Sequence, residues 1–421
     1  MILRYFLSGG FCSRALLAGL TVSLALAATD TRSETLAANH QLNPAFKHTS
    51  TQAPILIGLD ADMSSASARS GEAIRRGIQL AIDKINTEGG VLGRPFKLIV
   101  RDHRGIPARG RDNIDQLGQM QDLLAVVGGI HTPVALHELP LIHKHKLIYL
   151  GAWAAGTPVV DNGFNPNYVF RVSVRDQFAG EFLIDAALKD GFSRPGLLLE
   201  RTGWGRSNEK AILEALEKRG LHAAGVEWFN WGTTDFSATY NKLNTAGADF
   251  IMLVCNPREG LIALRDMAKL TPERRIPIIS HWGITGGDIE AVSMNIIDGV
   301  DLTFLQTFSF LDPFNPLRAE QVFKAYRKAF PDVREPGDIF APVGTAHAYD
   351  LVHLLAQAVE KAGTAERPAV RNALETLGRY EGLVRTYDPP FTATRHDALT
   401  RDDFRMARFG RNGKIFPLPR E

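Results

Sequence analysis

Short apolar runs alternate with amphipathic segments along the chain from about residue 55 onward. The runs at 55–59 and 96–100 are rich in Ile, Leu and Val, which is typical of buried strands. Between them, apolar residues of the segment 73–85 recur at helical spacing, and the pair Gly89 and Gly90 supplies a helix stop signal. This alternation predicts β–α–β units, in which parallel strands are covered by helices.

The same alternation begins again at a helical segment over 176–189 and predicts a second sheet. Farther on, strand character over 300–310 is followed by two long helical patterns, and the chain ends in a predicted hairpin with a turn at Asn412 and Gly413. Because strand and helix patterns resume after residue 300, we predict two α/β lobes that are each built from discontinuous parts of the chain. We expect residues 54–172 and 304–378 to form the N-terminal lobe, and residues 173–303 and 379–421 to form the C-terminal lobe.

The N-terminus has the pattern of an export signal. Arg4 and Arg14 precede an apolar segment over 15–28, and Ala25-Leu26-Ala27 fits an A-x-A cleavage site. The segment is shorter than the roughly 20 apolar residues that span a bilayer. We therefore predict a signal peptide at 1–27, a disordered leader at 28–53 and a periplasmic location.

Charge limits the class of partner that the protein can be expected to bind, and cysteine content limits its disulfides. The 421 residues include 48 Lys and Arg against 46 Asp and Glu, so the formal net charge is +2. This balance gives no reason to expect nucleic acid as a partner and favours a small molecule. Cys12 lies in the predicted signal peptide, which leaves Cys255 as the one thiol of the mature chain and predicts no internal disulfide.

Two loops mark where a small molecule should bind. The strand-like runs at 123–127 and 147–150 are each followed by a loop, and Pro133 opens the helix after the first one. In a parallel sheet both loops leave the carboxyl ends of neighbouring strands, where backbone N–H groups and helix N-termini favour an anion. The pattern predicts an anionic ligand there.

Several blocks of the chain resemble the periplasmic solute-binding proteins of the branched-chain amino acid (Leu/Ile/Val-binding) type, which feed ABC transporters. The blocks are GIQLAIDKIN at 77–86, GGVLGR at 89–94, FRVSVRDQ at 170–177 and DFS at 235–237, and their order and spacing carry the signal. The resemblance implies a type I periplasmic binding protein, with two Rossmann-like lobes joined by hinge crossovers. It also implies a ligand held between the lobes and an ABC transporter permease of the inner membrane as partner.

The resemblance also implies the site residues. In that family the ligand carboxylate is held by two loops, which match 131–133 and 153–156 of this sequence. Trp204 falls where an aromatic residue covers the ligand, and Cys255 or Asn256 falls where another side chain lines the far lobe. Trp282 occupies the place where amino-acid binders carry the acid that pairs with the ligand ammonium, which favours a small aromatic or aliphatic carboxylate, with an amino acid as a further option. The predicted ligand-binding residues are His131, Thr132, Trp153, Ala154, Ala155, Trp204, Cys255, Asn256 and Trp282.

Some of these residues also have a purely structural interpretation. Thr132 could simply cap the Pro133 helix, and His131 could be a structural histidine, or could supply a charge or a hydrogen bond. The three tryptophans fall in predicted strand-to-helix loops, which favours binding over core packing.

Other classes of protein fit less well. His131, His137, His143 and His145 point to different helix faces, so no metal site is expected. The loop after the first strand lacks G-x-G-x-x-G, and Cys255 has no orienting group for nucleophilic chemistry, so neither a cofactor nor an enzymatic activity is expected. A ligand-sensing receptor of a regulatory system with the same fold stays open as the alternative to transport.

Overall fold

A computed structural model describes residues 52–287, 296, 299–410 and 413–419. The predicted signal peptide, the predicted leader up to residue 51 and Asn412 of the predicted turn lie outside the described residues. None of the helices in the described part of the chain is long and apolar enough to cross a membrane.

The first sheet contains five parallel strands in the order β2-β1-β3-β4-β5. Apolar side chains from the helices bury it, which explains the near-continuous hydrophobic runs of its strands. The strands are β1 (Ile55–Ala61), β2 (Phe96–Asp102), β3 (Leu123–Gly128), β4 (Ile148–Gly151) and β5 (Val169–Arg171). The helices between them are α1 (Ala68–Thr87), α2 (Pro107–Gly118), α3 (Thr132–Lys144) and α4 (Thr157–Val160).

The second sheet has the order β14-β13-β10-β9-β8-β6-β7, parallel from β7 to β10 and antiparallel at its other edge. Its strands are β6 (Pro195–Glu200), β7 (Gly225–Phe229), β8 (Phe250–Val254), β9 (Ile278–Ser280), β10 (Leu302–Gln306), β13 (Arg405–Phe409) and β14 (Ile415–Pro417). The helices of this part are α5 (Asp176–Lys189), α6 (Gly203–Glu217), α7 (Ser237–Thr245) and α8 (Pro257–Ala268). The predicted architecture of two α/β lobes and the terminal hairpin are both confirmed.

The chain returns to the first lobe after β10. The helices α9 (Pro316–Ala329), α10 (Pro342–Ala362) and α11 (Arg367–Leu374) follow, and α10 packs on α1. The approach is so close that a Cβ on Gly77 would lie 2.2 Å from the carbonyl oxygen of Thr345. The hydroxyl of Thr345 also donates to the carbonyl of Ala73, at 3.1 Å.

Two elements lie across the lobe boundaries expected from the sequence. All of β10 belongs to the second sheet, through residue 306. A small hairpin of β11 (Tyr380–Glu381) and β12 (Thr386–Tyr387) is held against α10, because the Asp350 carboxylate accepts from the backbone N–H groups of Leu383 and Val384. Sequence periodicity carries no information on which lobe a two-residue strand will contact.

The apolar pattern predicts a helix over 211–218, but in the structure this helix, α6, begins eight residues earlier, at Gly203. The Thr202 hydroxyl accepts from the backbone N–H groups of Trp204 and Gly205, which satisfies donors that an uncapped helix would leave unpaired. The intervening Gly203-Trp204-Gly205 lacks apolar periodicity, so the pattern concealed this first turn of α6. Trp204 therefore lies in a helix and not in a loop.

Candidate functional site

The loop after β4 is held in shape by a buried arginine. The guanidinium of Arg171 donates to the carbonyl oxygens of Ala154, at 3.1 Å, and Gly156, at 2.9 Å, while its Nε donates to Asp397 at 2.6 Å. The hydroxyl of Ser173 donates to the carbonyl of Trp153. Both anchors come from the FRVSVRDQ block, so that block fixes the backbone of residues 153–156.

The loop after β3 is joined to the loop after β4. His131 is the N-cap of α3, and the Thr132 hydroxyl oxygen accepts from the backbone N–H of Gly156 at 3.1 Å. A Cβ on Gly156 would lie 2.4 Å from the Thr132 methyl group, so this contact requires glycine. The bond leaves the hydroxyl hydrogen of Thr132 able to donate to another acceptor.

His131 is buried and uncharged at neutral pH, because burial lowers the pKa of its imidazole to about 4. Its Nε2 lies 3.3 Å from the Ser67 hydroxyl, and its Nδ1 has no partner among the described residues. Of the two roles expected for His131, this geometry supports a hydrogen bond and not a positive charge.

The three predicted tryptophans converge on the boundary between the lobes. The rings of Trp153 and Trp282 lie 5.5 Å apart, and Trp282 continues to His347 at 5.6 Å. Trp204 packs edge-on against His281 at 5.0 Å. All three indoles are almost completely buried, and the Nε1 of Trp153 has no hydrogen-bond partner in the described structure.

His347 connects this aromatic cluster to the chain segments that follow β4 and β10. Its Nδ1 lies 2.8 Å from the carbonyl oxygen of Ala152 after β4, and its Nε2 lies 2.8 Å from the hydroxyl of Thr307 after β10. Burial lowers the pKa of His347 to about 4, so the neutral ring donates to the carbonyl and accepts from the hydroxyl. One side chain thus joins the loop after β4 of the first lobe to the segment in which the chain leaves the second sheet.

Asp176, at the start of α5, is a buried carboxylate that contacts predicted site residues and that the sequence pattern did not assign to the site. Its Oδ1 accepts from the Nε1 of Trp204 at 3.1 Å and lies 3.2 Å from the Nε2 of His281, while its buried Oδ2 has no partner among the described residues. Its backbone N–H donates to the carbonyl of Ala155 in the first-lobe loop. Asp176 lies within the FRVSVRDQ block, but an acid in the first turn of a helix is normally explained by the helix dipole.

Cys255 and Asn256 are adjacent in sequence but differ in surroundings. The thiol of Cys255 is buried in the apolar core of the second lobe, where burial raises its pKa well above the ordinary value. Asn256 donates through Nδ2 to Glu200 at 3.0 Å, and its buried Oδ1 has no partner in the described residues. This geometry favours Asn256 over Cys255 as a ligand contact.

A second buried acid, Glu200 at the end of β6, collects three donors. Its carboxylate accepts from the Thr202 hydroxyl at 2.6 Å, the Trp231 indole at 3.1 Å and the Asn256 amide at 3.0 Å. Burial raises the pKa of Glu200 to about 7, and the nearby Glu259 adds to this increase. The ring of Trp231 lies 5.4 Å from that of His131 in the first lobe.

Comparison with known proteins assigns the chain to a family. The family model described as periplasmic binding protein matches residues 54–414. This chain belongs to that family. A relative from Brucella melitensis, called Leu/Ile/Val-binding protein homolog 3, is 24% identical over 330 residues, which cover 76% of this chain and 83% of the relative.

Solved structures share the fold of this periplasmic binding protein. The branched-chain amino acid transporter substrate binding protein of Streptococcus pneumoniae, in complex with isoleucine, matches with a TM-score of 0.69 and 19% identity, over 87% of this chain and 100% of that one. A solute binding protein of R. palustris in complex with 4-hydroxybenzoate matches with a TM-score of 0.72 and 16% identity, over 88% and 96% of the two chains. The expected type of periplasmic binding protein is confirmed.

Four of the buried polar atoms that lack a hydrogen-bond partner in the described residues belong to Trp153, His131, Asp176 and Asn256, and their character differs between the two lobes. The first lobe presents an indole N–H of Trp153 and the imidazole Nδ1 of His131, which carries the ring proton when Nε2 accepts from Ser67. The second lobe presents acceptor oxygens, Asp176 Oδ2 and Asn256 Oδ1. Buried polar atoms normally find partners, so this set of atoms is suited to a ligand that has an acceptor at one end and a donor at the other.

The histidines in and just after α3 of the binding protein each contact a different group. His143 contacts the carbonyl of Leu139, and His145 lies 2.8 Å from Asp115. Within the described ranges, no group of three or more His, Cys, Asp or Glu side chains could hold a metal ion.

Proposed function

We propose that this protein captures a small organic carboxylate between its two lobes and delivers it to an ABC transporter permease in the inner membrane. The observation that carries the proposal is a set of buried polar atoms without partners in the described residues, donors in the first lobe and acceptors in the second, together with the contact of Trp153 with Trp282. The predicted signal peptide supports a periplasmic location, and the family supports a transport role.

The ligand carboxylate belongs on the first lobe. Trp153 Nε1, the free hydrogen of Thr132 and the N-terminus of α3 all favour an anion, and none of them requires a buried Lys or Arg. The carbonyls of the loop at 153–156 all accept from other groups, those of Ala154 and Gly156 from Arg171, that of Trp153 from Ser173 and that of Ala155 from the backbone N–H of Asp176, so they do not repel a carboxylate at close range.

The opposite end of the ligand should carry a hydrogen-bond donor. Asp176 Oδ2 and Asn256 Oδ1 can accept from a hydroxyl or an ammonium group. Because Trp282 stands where amino-acid binders carry an acid, the sequence favours a ligand without an α-ammonium group. The structure adds Asp176, a carboxylate that could pair with such an ammonium group. Hydroxyaromatic acids and amino acids therefore both match the chemistry of the cleft, in agreement with the 4-hydroxybenzoate and isoleucine complexes of the structural neighbours.

Four compounds separate these classes: benzoate, 4-hydroxybenzoate, leucine and isoleucine. We expect at least one of this panel to raise the melting temperature of the purified protein. Saturation at 100 times the dissociation constant adds about 2.7 kcal/mol of stability. A panel without any stabilising compound would contradict the proposed ligand class.

A single substitution then decides the role of Asp176. If an amino acid binds, Asp176→Asn should weaken it about 10- to 100-fold, because a charge-assisted hydrogen bond is lost. A bound benzoate should lose little, since it has no donor for this side chain. Asp190→Asn is the matched control, because Asp190 is an exposed acid at the other end of α5.

A further inference from the structure

Trp231 is a cleft residue that neither the sequence pattern nor the family resemblance assigns. It follows β7 in the second lobe, and its ring meets His131 of the first lobe at 5.4 Å with an interplanar angle of 61°. Its side chain is 37% exposed, whereas Trp153 and Trp282 are at most 1% exposed. Trp231 therefore lies at the outer rim of the lobe boundary, and the other two indoles lie deep within it.

Two hydrogen bonds fix the Trp231 loop to the rest of the second lobe, and a third lies within the loop. The indole N–H donates to Glu200 at 3.1 Å, the backbone N–H of Gly232 donates to Glu259 at 2.8 Å, and the Thr233 hydroxyl donates to the carbonyl of Asn230 at 2.8 Å. Gly232 has a φ of +90°, which residues with a side chain rarely adopt. The loop is thus held in place before any contact with the first lobe.

Glu200 links this rim to the interior of the site. The oxygen that accepts from Trp231 also accepts from Asn256, whose own Oδ1 is one of the unpaired acceptors of the cleft. Glu200 is completely buried and touches no first-lobe residue through a hydrogen bond in the described structure. Its carboxylate therefore orients a rim residue and an interior residue of one lobe.

We propose that Trp231, oriented by Glu200, closes the rim of the cleft over His131 and controls how fast a bound ligand leaves. The proposal rests on the proposed function, because it assumes a ligand held between the lobes. In this proposal Trp231 controls the exit of the ligand, and Glu200 acts on the ligand only by positioning Trp231 and Asn256. Side chains at a rim govern dissociation more than encounter, so their removal should appear in the dissociation rate.

Stopped-flow measurements with the panel compound that stabilises the wild type most provide the test. Trp231→Ala should raise the dissociation rate roughly tenfold or more, with a smaller change in the association rate. Trp231→Phe keeps a ring over His131 but loses the bond to Glu200, so we expect an increase of only a few-fold. Glu200→Gln should accelerate release at least as much as Trp231→Phe, because an amide cannot accept from all three donors and Asn256 then loses its orientation as well.

Trp228→Phe is the matched control. Trp228 lies on β7, three residues before Trp231, and its ring faces Arg201 and Arg206 of the second lobe. This variant should release ligand at the wild-type rate. An equal acceleration by Trp228→Phe and Trp231→Phe would mean that disturbance of the second lobe, and not the rim contact, sets the rate.

Small-angle scattering without ligand tests the rim contact separately. Loss of the contact should give Trp231→Ala a larger radius of gyration than the wild type, while Trp228→Phe keeps the wild-type value. If none of the four panel compounds binds, the proposed function is overturned. The scattering comparison would then still test the contact between Trp231 and His131. Wild-type scattering of Trp231→Ala, together with a wild-type release rate for any bound compound, would overturn the gating role.

Discussion

Arg171 and Asp397 are 226 residues apart in sequence and form a buried ion pair, with 2.6 Å between Arg171 Nε and Asp397 Oδ1. Arg175 donates to the other oxygen of Asp397 at 3.1 Å. The pair joins the end of β5 to a distant C-terminal segment, and the same guanidinium shapes the loop at 154–156, where we propose that the ligand carboxylate binds. Fold stability and site geometry therefore depend on one arginine.

Removal of Arg171 should cost more than an ordinary core substitution. Arg171→Met leaves Asp397 buried with a weaker partner, and we expect the free energy of unfolding to fall by about 3–5 kcal/mol. Denaturant unfolding followed by circular dichroism measures this loss. The double variant Arg171→Met with Asp397→Leu should recover part of it, because no buried charge is then left unpaired. A loss below about 1 kcal/mol in the single variant would contradict the assignment.

Trp204 should contribute to binding through its ring and through its bond to Asp176. We expect Trp204→Ala to weaken the best panel compound by about 1–3 kcal/mol, because stacking and apolar burial are lost together. Trp204→Phe retains a ring but frees Asp176 Oδ1, so it should weaken benzoate only slightly. Isothermal titration calorimetry gives both values. Unchanged affinity in Trp204→Ala would remove this residue from the site.

The pair Asp60 and Glu138 should make stability depend on pH. Burial raises the pKa of Asp60 to about 7 and raises that of Glu138 well above its ordinary value. The folded protein keeps a proton that the unfolded chain releases near pH 4, so this contribution to stability is complete below pH 4 and is lost as the pH rises to about 7. Buried histidines such as His103, whose pKa is lowered to about 3, act in the opposite direction over an overlapping range.

A difference measurement isolates the carboxyl pair from the histidines. The free energy of unfolding of Asp60→Asn minus that of the wild type should increase between pH 4 and pH 7, by roughly 2–4 kcal/mol in total. Asp60→Asn with Glu138→Gln should show a larger increase, and the exposed Asp112→Asn should show a flat difference. A flat difference for the double variant would mean that the pair holds no proton in the folded state.

Export predicts a defined mature chain. Intact-mass measurement of periplasmic protein should give a chain that starts at Ala28 or a few residues later, because cleavage is expected after Ala25-Leu26-Ala27. Replacement of Ala25 and Ala27 by bulky residues should cause accumulation of the precursor. A chain that begins at Met1 in the cytoplasm would contradict the predicted location.

The sequence by itself determined the repeating β–α alternation, because each strand and helix buries a continuous set of apolar side chains that leaves a local pattern. The two lobes and the loops around His131 and Trp153 followed from that pattern and from the family resemblance. Thr132, Trp204 and Trp282 were predicted as ligand-binding residues on the same grounds, since they stand near strand ends that the pattern locates, and this assignment stays a prediction.

Only the tertiary structure decided which distant groups meet. The free oxygen of Asp176, the contact of Trp231 with His131 and the pairing of Arg171 with Asp397 join residues that no local spacing connects. The start of α6 was missed for a related reason, because a single side-chain cap at Thr202 extended the helix beyond its apolar pattern. Local periodicity records which face of an element is buried, whereas the partner of a buried polar atom depends on how whole elements pack.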